Sequence, residues 1–383
     1  MFLMLPQYIL QVISKYFNTQ LDYINLVKCC KQYENIIDNF KFNPIPISSS
    51  YESISSSIFK HIETCHVYST PCDKMIINEN INKYVNWKPT KLTDIPIENN
   101  KITYKNILFD KQDSINLHDD LLKCNCIKGI TLCYYSNLSE IEIPNSITEL
   151  CRECFYECTT LSSVKLSTNL KILNNKCFYN CIHLSEIEIP NSVAELGDSC
   201  FYNCYKLSNI ILSINLEKIG VGCFQHCSSL KTINLPDSLK IMKNGCFIDC
   251  SSLEQLTIPN KIDILHKFTL FKCISLTKIE LSTNLTKIGH NCFSKCYKLT
   301  EIELPKSLIR IGTQCFEDCK NLINIKIPNN VNKLGNYCFL NCVKLNKIEL
   351  SNNIIIGENC FSINNPIRLW ECINNDNIKI IKY

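Results

Sequence analysis

The chain has no long hydrophobic run, no excess charge of one sign and few histidines. No segment approaches the 18 or more apolar residues that span a bilayer, so no membrane span is expected. The C-terminus carries no hydrophobic tail of the kind exchanged for a lipid anchor. The start, Met-Phe-Leu-Met-Leu-Pro, is apolar but has no basic segment before it. Gln7 and Gln11 interrupt it and no small-residue cleavage site follows, so a secretory leader is not expected. With 40 basic and 36 acidic residues the net charge is +4, and no Lys or Arg stripe appears, which excludes a general nucleic-acid binder. The seven histidines are scattered. There is no phosphate-cradling Gly-rich loop, no nucleophile elbow and no H-E-x-x-H. Neither catalysis nor a cofactor is expected.

What is present is a repeat. Leucine recurs every 23 residues at Leu138, Leu161, Leu184, Leu207, Leu230, Leu253, Leu276, Leu299, Leu322 and Leu345. Phenylalanine keeps the same period at Phe155, Phe178, Phe201, Phe224, Phe247, Phe293, Phe316 and Phe339, with Leu270 in the remaining full-length copy. A 20–29-residue period with this Leu and Ile spacing marks a leucine-rich solenoid, which grows in one dimension without enlarging a globular core. The 383 residues therefore need not be split into two or three ordinary domains.

The copy that begins at Leu299 shows how a unit is built. Ile302 and Leu304 stand at the strand period and point inward, while Glu301 and Glu303 point out. Pro305 ends the strand; serine takes that place at Ser167, Ser213, Ser282 and Ser351. Leu308 and Ile311 return to the core, and Gly312 follows where a turn is expected. Residues 314–318 are expected to form a short helical or 3₁₀ turn carrying Cys315, Phe316 and Cys319. The fold class this implies is an α/β leucine-rich repeat solenoid. It has a curved parallel sheet with one short strand per copy, helical or 3₁₀ turns opposite, and a small helical N-terminal region.

Cysteine is abundant, at 27 residues, and 18 of them fall on two fixed positions of the repeat. One row begins Cys154, Cys177, Cys200 and the other Cys158, Cys181, Cys204. Zinc would need a metal in every copy, yet each copy offers two thiols and no regular histidine. Disulfides within a copy would cross a tight turn, and Cys273 faces Thr269 where its partner would stand. Small buried thiols fit both rows, which points to a reducing compartment.

The remaining chain divides as follows. Residues 1–43 carry apolar positions at helical spacing. Residues 44–114 are a Pro- and Ser-rich linker followed by an irregular region in which Cys65, His66 and Cys72 lack a second ligand pair. Residues 115–137 resemble a worn capping copy, with Ile115 and Leu132 on the period. Residues 138–366 hold the ten copies and residues 367–383, including Trp370, a C-terminal cap.

Two resemblances follow from these residues. The unit L-x-x-I-x-L-P-x-x-L-x-x-I-G-x-x-C-F-x-x-C-x-x resembles the treponemal-type, or BspA-like, leucine-rich repeat family. That resemblance implies a curved solenoid that binds proteins, with many members acting in adhesion at cell surfaces, and it brings no catalytic residues. The first cysteine of the unit is commonly alanine in that family, in line with a packing role. At the N-terminus, Leu5-Pro6-Gln7-Tyr8-Ile9-Leu10, with Ile13, Tyr16, Asp22, Asn25, Leu26, Cys29 or Cys30, Lys31 and Tyr33, resembles a divergent F-box; the same residues also suit a plain helical cap. An F-box would imply docking of residues 1–43 on a ubiquitin-ligase adaptor.

The outward strand positions are where a partner would bind. Glu186 and Glu188 make one end acidic, and Glu301 and Glu303 the other. Between them lie Asn209, Ile211, Thr232, Asn234, Gln255 and Thr257, an uncharged stretch with a polar rim that suits a protein partner. The same rows also suit an ordinary solvated sheet face. The sequence thus reads as a non-enzymatic protein-binding scaffold, cytoplasmic, with an F-box-like substrate receptor or a cell-surface adhesion protein as alternatives.

Overall fold

The computed structural model describes residues 64–67, 83–86, 90–91, 102–104, 107–108, 129–132, 138–350, 354–362 and 379–380. The helices expected in 1–43, the linker, most of the worn copy and most of the C-terminal cap lie outside them. The chain divides into two compact units, residues 1–113 with 119–130, and residues 114–118 with 131–383.

In the first unit, Thr64–Val67, Lys83–Asn86 and Ile102–Tyr104 form a parallel three-stranded sheet in that order. Thr64 pairs with Lys83, Tyr84 with Ile102, and Thr90 with Ile107, offsets of nineteen, eighteen and seventeen residues. The region with no legible repeat therefore also pairs in parallel at a nearly constant offset, shorter than 23.

In the second unit each copy contributes up to two short strands rather than the one expected. Three-residue strands such as Glu140–Glu142, Glu186–Glu188 and Gln255–Thr257 bury the middle side chain and expose its neighbours. Two-residue strands follow, such as Glu149–Leu150, Glu195–Leu196 and Ile264–Leu265, with the second residue inward. Described pairs between copies are parallel, one copy to the next, as Glu186 with Asn209 and Leu196 with Ile219. Parallel strands need a crossover of a dozen or more residues, and the remainder of each copy supplies it.

That crossover is not helical, and the expected α/β class is corrected here. No helix occurs among the described residues, and 314–318 form turns. The cause is backbone handedness. The residue before each cysteine position lies in the left-handed region, as Gln314 at φ 54° and Asp318 at φ 58°. Such a residue breaks a right-handed helix, at a cost of roughly 1–2 kcal/mol for an L side chain. Hydrogen bonds between copies offset that cost: Gln314 N–H donates to the Asn336 carbonyl at 2.9 Å, Phe316 to Cys338 at 2.8 Å and Asp318 to Leu340 at 2.8 Å. The turns are thus a third ladder, and the unit is a parallel β-solenoid.

Gly312 and its equivalents serve close approach rather than a turn. A Cβ on Gly220 would stand 2.4 Å from the Gly197 carbonyl carbon, and one on Gly312 would stand 2.6 Å from that of Gly289.

The core is a set of ladders. Phe155, Phe178, Phe201, Phe224 and Phe247 stack with ring centroids 4.9–5.5 Å apart, and Phe293, Phe316, Phe339 and Phe361 continue beyond Leu270. All eighteen repeat cysteines are buried and free. The second row has a further role that composition alone does not reveal. Each thiol donates to the carbonyl 26 residues earlier: Cys181 to Phe155 at 3.1 Å, Cys227 to Phe201 at 3.2 Å, and Cys342 to Phe316 at 3.0 Å. A thiol donor is weak, but here it is buried and must be protonated to donate.

Candidate functional site

The corner after the three-residue strand takes three forms, and these decide how the outward face is built. Ile-Pro occurs at Pro144, Pro190, Pro259 and Pro328; Leu-Ser at Ser167, Ser213, Ser282 and Ser351; Leu-Pro at Pro236 and Pro305. Every Ile-Pro copy precedes a Leu-Ser copy, and the two strands pair over three residues. The isoleucine extends that pairing: Ile143 N–H donates to Lys165, Ile189 to Ile211, Ile258 to Glu280 and Ile327 to Glu349, each at 2.8 Å. Ser167, Ser213 and Ser282 are fully buried. The asparagine after the proline clamps the next copy: Asn145 Oδ1 accepts from the Thr168 N–H at 2.9 Å, Asn191 from Ile214 at 3.1 Å and Asn260 from Thr283 at 3.0 Å.

The two Leu-Pro copies belong to no such pair. Residues 232–234 and 301–303 form no strand. The row of two-residue strands lapses at the same junctions: Ile241–Met242 is not bonded to Ile264–Leu265, nor Arg310–Ile311 to Lys333–Leu334. At the first junction, Lys243 and His266 stand where five other copies have the glycine, Gly197, Gly220, Gly289, Gly312 and Gly335. Two seams therefore cross the strand rows, while the turn ladder runs through both, with Phe247 N–H to the Thr269 carbonyl at 2.9 Å and Phe316 to Cys338 at 2.8 Å. Amides of 232–234 and 301–303 are expected to exchange with solvent faster than those of 209–211 and 278–280, because only the latter are held in ladders. Uniform protection along the face in hydrogen-exchange mass spectrometry would contradict the seams.

All ten expected face residues are exposed: Glu186, Glu188, Asn209, Ile211, Thr232, Asn234, Gln255, Thr257, Glu301 and Glu303. The first four sit on adjacent paired strands, with Glu186 beside Asn209 and Glu188 beside Ile211. Thr232 and Asn234 stand at the first seam and Glu301 and Glu303 at the second. At the first seam a cavity of about 240 Å³ is lined by Thr232, Asn234, Gln255, Thr257, Lys278 and Glu280, among others. Lys278 and Glu280 belong to the cavity but not to the expected set. Lys278 Nζ lies 2.7 Å from Glu280, and Thr257 Oγ1 donates to it at 3.1 Å. The Lys278 hydrogen bond, then that of Thr257, hold the Glu280 carboxyl below the ordinary carboxylate range.

The other strand-face charges divide into two kinds. Glu142 is met by Lys165 at 2.7 Å, and Glu349 by Lys326 and Lys347 at 3.1 Å each. Glu140, Glu186, Glu188, Glu301 and Glu303 have no ion-pair partner among the described residues. Ile214 completes the face and was not expected. It is 66% exposed and Ile211 is 55% exposed, the two most exposed large apolar side chains among the described residues. Its signal was a single change, Leu-Ser-Ile-Asn-Leu at 212–216 where Leu-Ser-Thr-Asn-Leu stands at 166–170 and 281–285.

Among the described residues no three His, Cys, Asp or Glu are grouped to hold a metal ion, and no helix is long and apolar enough to cross a membrane. What the face offers is an exposed apolar pair, neutral hydrogen-bonding side chains and unanswered carboxylates, which is equipment for holding another molecule.

Comparison with known proteins places the chain. A leucine-rich repeat protein from T. pallidum is 27% identical, over 43% of this chain and 80% of that one, with a TM-score of 0.41. A leucine-rich repeat protein from Bacteroides ovatus is 21% identical, over 84% of this chain and 85% of that one, with a TM-score of 0.53, a likeness of fold. The pneumococcal vaccine antigen PcpA is 20% identical, over 78% of this chain and 89% of that one, with a TM-score of 0.46. No curated protein sequence matches significantly. The profile of the family described as BspA type leucine rich repeat region (6 copies) matches residues 129–254 and 240–368. These residues are more than half of the chain, which therefore belongs to the BspA-type leucine-rich repeat family.

Proposed function

We propose that this protein is a non-enzymatic recognition module that docks a protein partner on the outward face of its three-residue strands. The observation that carries the reading is Ile211. It stands exposed at a position where other Leu-Ser copies hold a charged residue, one copy before Asn234 at the cavity of the first seam. An exposed apolar anchor ringed by polar groups suits a protein interface. Ile211→Glu is expected to reduce partner capture at least tenfold while leaving the thermal unfolding midpoint within a degree or two. Capture equal to that of the unaltered chain would remove this face from the proposal.

The compartment proposed is the cytoplasm, supported by eighteen buried, unbridged repeat thiols in a chain that needs them reduced. A membrane-impermeant label applied to intact cells is expected to miss the protein; labelling would favour the adhesion reading instead. The F-box-like residues 1–43 support a substrate-receptor role in which the solenoid selects the target. Co-purification of a ubiquitin-ligase adaptor, lost on deletion of 1–43, is the expected result, and no co-purification would dismiss that role.

A further inference from the structure

The strand face is locally acidic in a chain whose net charge is +4. Glu186 and Glu188 lie in the third copy, and Glu301 and Glu303 in the eighth. None of the four is answered by a cation among the described residues, whereas Glu142, Glu280 and Glu349 each are. An unanswered exposed carboxylate contributes little to folding, but it selects the charge of what approaches. Five repeats at about 4.8 Å per strand separate the two acidic pairs by roughly 24 Å.

The interval between the pairs is neutral. Lys278 and Glu280 cancel each other at 2.7 Å, and the other exposed strand positions there carry amides, hydroxyls or Ile211. The fourth copy alone puts isoleucine at both variable places of the Leu-Ser corner. Ile211 replaces the Lys165 or Glu280 of other copies, and Ile214 replaces their Thr168 or Thr283. Both are exposed. Burying them would add apolar contact that the chain does not use for its own core.

We propose that this face binds a short extended segment of a partner protein, basic at both ends and apolar just inside the end that meets Glu186 and Glu188, laid along the stack from Glu186 and Glu188 to Glu301 and Glu303. The proposal rests on the docking reading above and supplies the chemistry of the partner. Roughly 24 Å corresponds to about seven residues of extended chain at about 3.3 Å each. The apolar residues dock on Ile211 and Ile214, one copy from Glu186 and Glu188, and give affinity. The basic ends meet the carboxylates and give selectivity and salt dependence.

Three fluorescent probe peptides of about ten residues test this on the full chain by anisotropy. The first has two lysines at each end and a leucine-rich middle; the second has glutamates at the ends and the same middle; the third has lysine ends and a Gly-Ser middle. The first is expected to bind at least tenfold more tightly than either of the others, and to weaken as salt is raised. The combined variant Glu186→Gln, Glu188→Gln, Glu301→Gln and Glu303→Gln is expected to bind the first probe about tenfold less tightly, with its unfolding midpoint unchanged. The proposal is overturned if no probe binds, if lysine-ended and glutamate-ended probes bind alike, or if the glutamine variant binds the first probe as the unaltered chain does. If Ile211→Glu abolishes capture of the natural partner while the glutamine variant keeps it, the docking face stands and the basic-ended partner is excluded.

Discussion

Raising the pH through 9 to 10.5 is expected to unfold the repeats within a narrow range. Fifteen repeat thiols, from Cys154 to Cys342, have their ionisation pushed up, in each case first by burial. Cys292 and Cys342 are pushed up to about 12 from an ordinary value of 9.0. Because the folded value lies above the unfolded one, the stabilisation is complete below pH 9 and is lost as pH rises toward 12. Each such thiol favours the unfolded chain by about 1.4 kcal/mol one pH unit above its unfolded value. Fifteen together give on the order of 20 kcal/mol, against the roughly 5–15 kcal/mol that holds a typical domain. Second-row thiolates would also lose the S–H that Cys227 and its equivalents donate. Circular dichroism should show a steep loss of structure near pH 10, with thiolate absorbance rising in the same step. Thiolate absorbance that rises by pH 11 while the ellipticity is kept would show that the thiols are not held neutral by the fold.

Replacing Phe224 with alanine is expected to cost roughly 3–5 kcal/mol. The ring is fully buried and stacked between Phe201 at 5.5 Å and Phe247 at 5.4 Å, so its loss opens a cavity in the middle of the ladder. The neighbours cannot close it, because their backbones are fixed by the turn hydrogen bonds Phe201 to Cys223 and Phe224 to Cys246, both 2.8 Å. In a stack where each copy contacts only its neighbours, the damage should split the unfolding transition into two steps rather than shift it as a whole. An unchanged denaturant midpoint would refute the packing assignment.

These two effects come from features legible in the sequence, since Leu, Phe and Cys recur at fixed positions and their burial follows from the period. Other features were not legible, for physical reasons. Gln314 and Asp318 resemble ordinary helix formers, and nothing in their side chains announces positive φ. The position is held instead by hydrogen bonds to the next copy, and Glu, Lys, Ser, His and Phe all occupy its equivalents. Strands of two residues, such as Glu149–Leu150, are too short to show a period. The parallel pairs of the first unit shift their offset at each step, which erases a fixed repeat. On the face, exposure of the ten residues followed from strand alternation. The seams did not, because Leu-Pro differs from Ile-Pro by the branching of one side chain. Ile214 was visible as a change in a repeated corner, but it lies beyond the strand rows where a partner was sought.

The claim that function lies on the outward strand face is tested most directly by site-specific photo-cross-linking in cells of the native source. A photoreactive side chain at position 211 or 234 is expected to form a defined adduct with the partner, whereas one at position 320, on the opposite turn row, is expected to form none. Adducts from position 320 with none from 211 or 234 would place the partner on the turns and contradict the account.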